Sequence, residues 1–146
     1  MGIVSFTFDK ISAEKIGKIT SQVNINHNFN IRDVEKTDIN IQGKKSALRL
    51  GFDFIVNYEP NIGNIQMKGN IVYLDKEDEI NKLETQWKKE KKLSVGVTTL
   101  ISNTILTKAN IKALILSQEV DLPPQIHLPK IEPTNQENSR KGDYIG

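Results

Sequence analysis

Residues 48–73, LRLGFDFIVNYEPNIGNIQMKGNIVY, decide the fold class. Leu48, Leu50, Phe52 and Phe54 fall on one phase of a period-two pattern, and Ile65, Met67, Gly69, Ile71 and Tyr73 do the same further on. That period puts one face of a strand on a core and the other towards water. Between the two runs lies Tyr58-Glu59-Pro60-Asn61-Ile62-Gly63-Asn64, which reads as a turn. Proline cannot donate to a strand ladder, and glycine permits a positive φ. Two alternating runs joined by a short turn predict an antiparallel hairpin.

The same pattern extends upstream. Val4, Phe6 and Phe8 alternate with Ser5, Thr7 and Asp9; Val23, Ile25, His27, Phe29 and Ile31 alternate with Asn24, Asn26, Asn28 and Asn30. Ile39 and Ile41 begin a third run, which Gln42-Gly43-Lys44-Lys45 closes as a turn. Downstream the period changes. Asp75 or Asp78 can cap a helix running to about Lys92, with Ile80, Leu83 and Trp87 on one stripe. Ser94 can cap a second helix through about Glu119, on which Val97, Leu100, Ile101, Thr104 and Ile105 share a stripe that Ile111, Leu114 and Ile115 continue. This stretch is rich in β-branched residues, which leaves a buried strand over 94–101 as the competing reading. The spacing past Leu100 at three and four favours the helix. Leu122-Pro123-Pro124-Gln125-Ile126-His127-Leu128-Pro129 must be extended, because each proline biases its predecessor away from the helical region. One domain over residues 1–131 and a polar, flexible C-terminal tail over 132–146 follow from these shifts in composition.

The 146 residues suit a single core. With no cysteine, thiolate zinc sites and cysteine nucleophiles are excluded, and a reducing, cytoplasmic setting is expected. No apolar run reaches the ~20 residues of a membrane helix, and the start of the chain has no pattern of a signal peptide, so no membrane insertion is expected. Net charge is only +2, and three of the 20 basic residues are arginine (Arg32, Arg49 and Arg140), which argues against a dedicated nucleic-acid domain.

Few residues offer chemistry. His27 sits on the apolar phase of its strand and reads as a core or interface histidine with a hydrogen-bonded ring; His127, between prolines, reads as a surface residue. The two do not make a zinc site without further ligands. The acidic cluster Asp75, Glu77, Asp78 and Glu79 is explained by the dipole at a helix start. The run Lys88 to Lys92 reads as a solvated helix end, with phosphate contact as the alternative. No phosphate loop and no nucleophile elbow appear, so the sequence predicts a protein that is not an enzyme and needs neither metal nor cofactor.

The order of parts, a strand-rich half, two helices and then a Pro-rich extended segment, resembles the SecB family of export chaperones. The hairpin strands 52–58 and 65–73, the stretch Asn103-Thr104-Ile105 within the second helix and the segment 122–129 carry the likeness. It implies an α+β fold in which a four-stranded antiparallel sheet carries two helices on one face. It implies, too, a chaperone assembled from dimers into a tetramer that holds unfolded or nascent polypeptides in apolar grooves. Leu122, Pro123, Pro124, Ile126 and Leu128 are then candidates for client binding, though they can equally pack on the chain's own sheet. Val4, Phe6, Phe8 and Trp87 are candidate interface residues: an apolar terminal strand at a sheet edge invites association, and Trp87 is expected to be largely buried with Ile80 and Leu83. The slight basic excess departs from the acidic surface by which such chaperones dock their translocation ATPase. A non-catalytic subunit of a ribonucleoprotein, with RNA or the ribosome as partner, is the alternative function.

Overall fold

Alternation does build the sheet, but its strands are longer than the apolar runs. In the computed structural model, which describes residues 2–19, 22–129, 131 and 133, four strands precede two helices: β1 Gly2–Lys15, β2 Asn24–Asn40, β3 Lys44–Glu59, β4 Gly63–Leu74, α1 Glu77–Glu90 and α2 Val95–Glu119. The four strands form one antiparallel sheet in the order β1-β4-β3-β2, so β1 and β2 are its edges. The tail expected over 132–146 lies outside the described residues except for Pro133.

Register places the apolar phases together. Leu48, Leu50, Phe52, Phe54 and Val56 of β3 stand opposite Tyr73, Ile71, Gly69, Met67 and Ile65 of β4, and all the large side chains among them are buried. Both helices lie on that face, α1 over β3 and β2, α2 over β4 and β1. α2 buries Ile101, Ile105, Ala109 and Ala113 against it, a spacing of four that keeps small residues where the helix approaches the sheet closely. The opposite face of the sheet is polar, with Asn24, Asn26, Asn28 and Asn30 of β2 beside Asp53 and Asn57 of β3.

Two bulges explain where the pattern misleads. The run at Ile39 is not a separate strand: β2 continues to Asn40, with Ile39 opposite Lys45. A register shift between Ile31 and Asp33 moves the apolar phase by one residue, to Val34, and so breaks the visible alternation. Arg32 occupies the bulge and folds over Gly51, donating to the Phe52 carbonyl at 2.9 Å and to Asp53 at 2.6 Å. Burial works against its charge, but Asp53 and then Asp33 outweigh that, and its pKa rises. A second shift, between Ile3 and Ser5, takes Val4 out of phase. Ile3 rather than Val4 therefore joins Phe6 and Phe8 against the core.

Helix ends are also shifted from expectation. Neither Asp75 nor Asp78 caps α1: Lys76 holds the N-cap position without a side-chain bond, and the Asp75 carboxylate accepts from the Lys76 amide and the Tyr73 hydroxyl. α1 stops at Glu90 because Lys91 turns left-handed, at φ 56°, and its amide closes on the Trp87 carbonyl. Residues 95–101 are helical, which resolves the helix-or-strand alternative. Ser94 stands at the N-cap position as expected, though its hydroxyl makes no capping bond.

Candidate functional site

The groove is built on β2. Its outer edge pairs with no other strand of the sheet, and Val23, Ile25, His27, Phe29 and Ile31 project in turn from its helix-bearing face. At ~3.3 Å per residue that row is about 27 Å long. Beyond Ile31, Val34 of β2 is buried and α1 meets the strand at Lys36. The α1 side chain of Glu84 accepts from the Lys36 backbone amide at 2.9 Å, and Asn81 accepts from the Lys36 ammonium at 2.8 Å. α1 therefore blocks the strand at Lys36 and reaches Phe29 and Ile31 only with its last turn.

Two hollows lie in line along this row. One, of about 440 Å³, lies where α1 meets α2; Phe29 and Ile31 line it together with Trp87, Leu93, Val95 and Thr98. Lys91 stretches over the Trp87 ring, its ammonium 5.7 Å from the ring centre. The other, of about 510 Å³, lies between Val23, Ile25 and His27 of the β2 row and Pro124, Ile126 and His127 of the Pro-rich segment. A roomier polar hollow of about 780 Å³ at the β2–β3 turn has lining charges that largely pair among themselves, Lys44 with Asp38 at 3.6 Å and Lys36 with Glu77 at 3.5 Å.

The Pro-rich segment is held at three points. The Leu122 amide donates to the Ser117 carbonyl at 2.8 Å, closing the end of α2. The Tyr58 hydroxyl donates to the Pro123 carbonyl at 2.7 Å, and burial pushes that phenol up to about 12. Gln125, almost wholly buried, donates through Nε2 to the Asn110 carbonyl at 2.7 Å, while its Oε1 finds no partner among the described residues.

The structure separates the residues singled out in this segment. Leu122 is only 5% exposed and belongs to the core, its methyl groups lying over Gly63. Pro123 is half-buried by its bond to Tyr58. Pro124 is exposed, as are Ile126 at 38% and Leu128 at 47%. Trp87 is half-buried rather than largely buried, because one side of its ring faces the hollow between α1 and α2. Phe6 and Phe8 pack on Phe52 with ring centres 5.1 and 6.2 Å away, whereas Val4 is 46% exposed. His27 is exposed and its ring has no hydrogen bond among the described residues, which rules out the core half of the core-or-interface reading and leaves the interface half open; its neighbours on the same phase, Ile25 and Phe29, are half-buried against the core. His127 is exposed, as expected.

Phe29 and Ile31 were legible as strand residues but not as site residues, because nothing in the alternation tells an edge strand from a central one. Among the described residues no group of three or more His, Cys, Asp or Glu could hold a metal ion, and no helix is long and apolar enough to cross a membrane.

No protein family matches the sequence, and no curated protein does either. Among solved structures the fold is similar to that of the Mycobacterium tuberculosis Rv1957 SecB-like chaperone in complex with a ChAD peptide from the Rv1956 HigA1 antitoxin. The likeness has a TM-score of 0.55 and covers 88% of each chain at 10% sequence identity, so this chain has a diverged SecB-like fold.

Proposed function

We propose that this protein is a non-catalytic, cytoplasmic chaperone-like module that holds extended segments of unfolded or nascent polypeptides in the groove along β2. One observation carries the reading: the half-buried apolar side chains of Val23, Ile25, Phe29 and Ile31 stand in a row beside an unpaired strand edge, with a hollow at each end. Partly open apolar hollows of this kind suit interaction sites, and an extended client can also add its backbone to the free strand edge. The solved neighbour of the same fold is itself complexed with a peptide. Pro124, Ile126 and Leu128 form one wall in this reading, and Trp87 belongs to the groove. Leu122 and Pro123 hold that wall in place from beneath. No cofactor takes part.

Client holding is tested by suppression of aggregation of a reduced, unfolding protein. Phe29→Asp with Ile31→Asp should abolish suppression while the circular dichroism spectrum stays that of the native fold. Full suppression by the folded double variant would overturn the groove. Homo-oligomerisation, as dimer or tetramer, is proposed through the free edge of β1, where Val4 is exposed while Phe6 and Phe8 are engaged within the chain. Sedimentation that finds only monomer at high micromolar concentration would remove it.

A further inference from the structure

We propose that the α1–α2 end of the groove selects clients whose apolar stretch is followed by acidic residues, so that a segment combining alternating aliphatic side chains with a short run of Asp or Glu is the preferred occupant. This rests on the groove reading above and adds a charge requirement to it.

The lining of that hollow carries two lysines, Lys91 and Lys92, and no carboxylate. Lys91 crosses the face of Trp87, so its ammonium sits at the mouth directly above an apolar floor. Lys89, one turn away on exposed helix, has no ion-pair partner among the described residues, and neither does Lys92. Lys88 is shared with Glu84 at a loose 3.9 Å. Glu90 is the one acidic residue within the run 88–92, so four ammonium groups face one carboxylate there. These charges crowd the negative end of the α1 dipole, which offsets part of their mutual repulsion; an acidic ligand offsets the rest.

At the other end of the row the hollow is lined by Val23, Ile25, Pro124, Ile126 and the two histidines, with no lysine and no carboxylate. The groove is therefore polar along its length: cationic at one end and close to neutral at the other. An apolar client gains contacts with the floor everywhere, but only a client with negative charge placed beyond its apolar stretch also gains at the lysine end. A client carrying lysines there meets like charge and loses affinity. Each exposed pair is worth little, so the discrimination comes from two or three acting together and is sensitive to salt.

The chain has a single tryptophan, Trp87, and it lies in this hollow. Its emission reports occupancy of the site without a label. Two nine-residue probe peptides of alternating Leu and Ser, free of tryptophan, differ only in ending with three Asp or three Lys. Titrated at low salt, the acidic peptide should bind roughly tenfold tighter than the basic one, and the gap should close to about twofold or less near 0.5 M salt. Lys89→Glu with Lys92→Glu, both at exposed positions, should reverse the preference in a protein with unchanged circular dichroism. Equal affinities for the two wild-type titrations, at low and high salt alike, would overturn the charge selection and leave the groove standing. If neither peptide alters Trp87 emission or binds by anisotropy of a labelled copy, the groove and its charge selection both fall. The wild-type titrations decide the matter even if the double variant fails to fold.

Discussion

The two edges of the sheet carry similar half-buried apolar pairs on the same face, both packed against the core, but with different neighbours beside them. On β1, Phe6 and Phe8 meet each other edge-on at 5.2 Å and pack on Phe52. Lys108 and Lys112 of α2 lie across their rings at 5.6 and 5.9 Å. Gly69, opposite both Phe8 and Phe52, supplies the room for the rings; a Cβ there would run into the Thr7 carbonyl and the Phe52 ring. On β2, Phe29 and Ile31 stand opposite Phe54 and Phe52 and share a hollow with Trp87, Leu93 and the start of α2. The difference lies in helix length. α2 has 25 residues and α1 has 14. The same kind of half-buried apolar pair thus has lysine side chains across it on one edge and a hollow beside it on the other.

The largest test of that contrast compares Phe52→Ala with Phe29→Ala. Phe52 is fully buried, so its loss should cost on the order of 3–5 kcal/mol in urea unfolding, while Phe29→Ala should cost less than about 1 kcal/mol. Equal costs would mean that the β2 side is as closed as the β1 side. A finer version uses neighbours in one segment. Leu122→Ala should lose about 2–4 kcal/mol, since its methyl groups fill the space over Gly63, whereas Ile126→Ala should stay within about 0.5 kcal/mol of wild type. If Ile126→Ala is as damaging, that wall of the groove is core.

The smallest effect concerns the tie between that wall and the sheet. Tyr58→Phe removes one hydrogen bond and should cost about 1 kcal/mol at neutral pH. It should also change the alkaline limb. The Tyr58 phenol ionises near 10 when unfolded, but burial pushes it up to about 12 in the fold. The unfolded state therefore loses its proton first, and stability that is complete below about pH 10 is lost as pH rises towards 12. Tyr58→Phe should unfold less steeply over that window. Tyr73, raised by burial and by its bond to Asp75, contributes in the same direction and remains in the variant. An unchanged alkaline limb would show that Tyr58 is not held in the fold.

Much of the architecture was legible because the central strands and α1 obey one period each; on α2 the stripe read through Leu100, Ile111 and Ile115 is exposed, and the buried face runs instead through Ile101, Ile105, Ala109 and Ala113. Leu48 to Phe54 and Ile65 to Tyr73 alternate without interruption, and their partners across the hairpin can be counted from the turn. The edge strands were harder. A bulge at Arg32 shifts the phase of β2, so Ile39 looked like the start of something new, and a bulge at Val4 did the same at the start of β1. The site was only half visible. Proline content marked the segment 122–129 as extended, but which of its side chains face inward depends on the turn at Asp121, at φ 57°, and on Tyr58, 65 residues earlier in the chain. That a hollow lies beside Phe29 and Ile31 follows from the order β1-β4-β3-β2 and from where α1 meets α2. Neither is written in local alternation.

The Pro-rich wall follows α2 in the chain, and this sets when the groove can first exist during synthesis. Tyr58 waits for Pro123, and Asn110 for Gln125. About 90 residues separate the end of β2 from Leu128. At ribosomal speeds that is a delay of roughly 4–18 s, during which the β2 row is made but has no walls. Through that interval the protein is itself a nascent chain with an unguarded apolar strand, and the asparagines on the reverse side of that strand are its only local protection. On the proposed chaperone reading, a site completed so late in translation would capture no other chain until its own had passed through the same hazard.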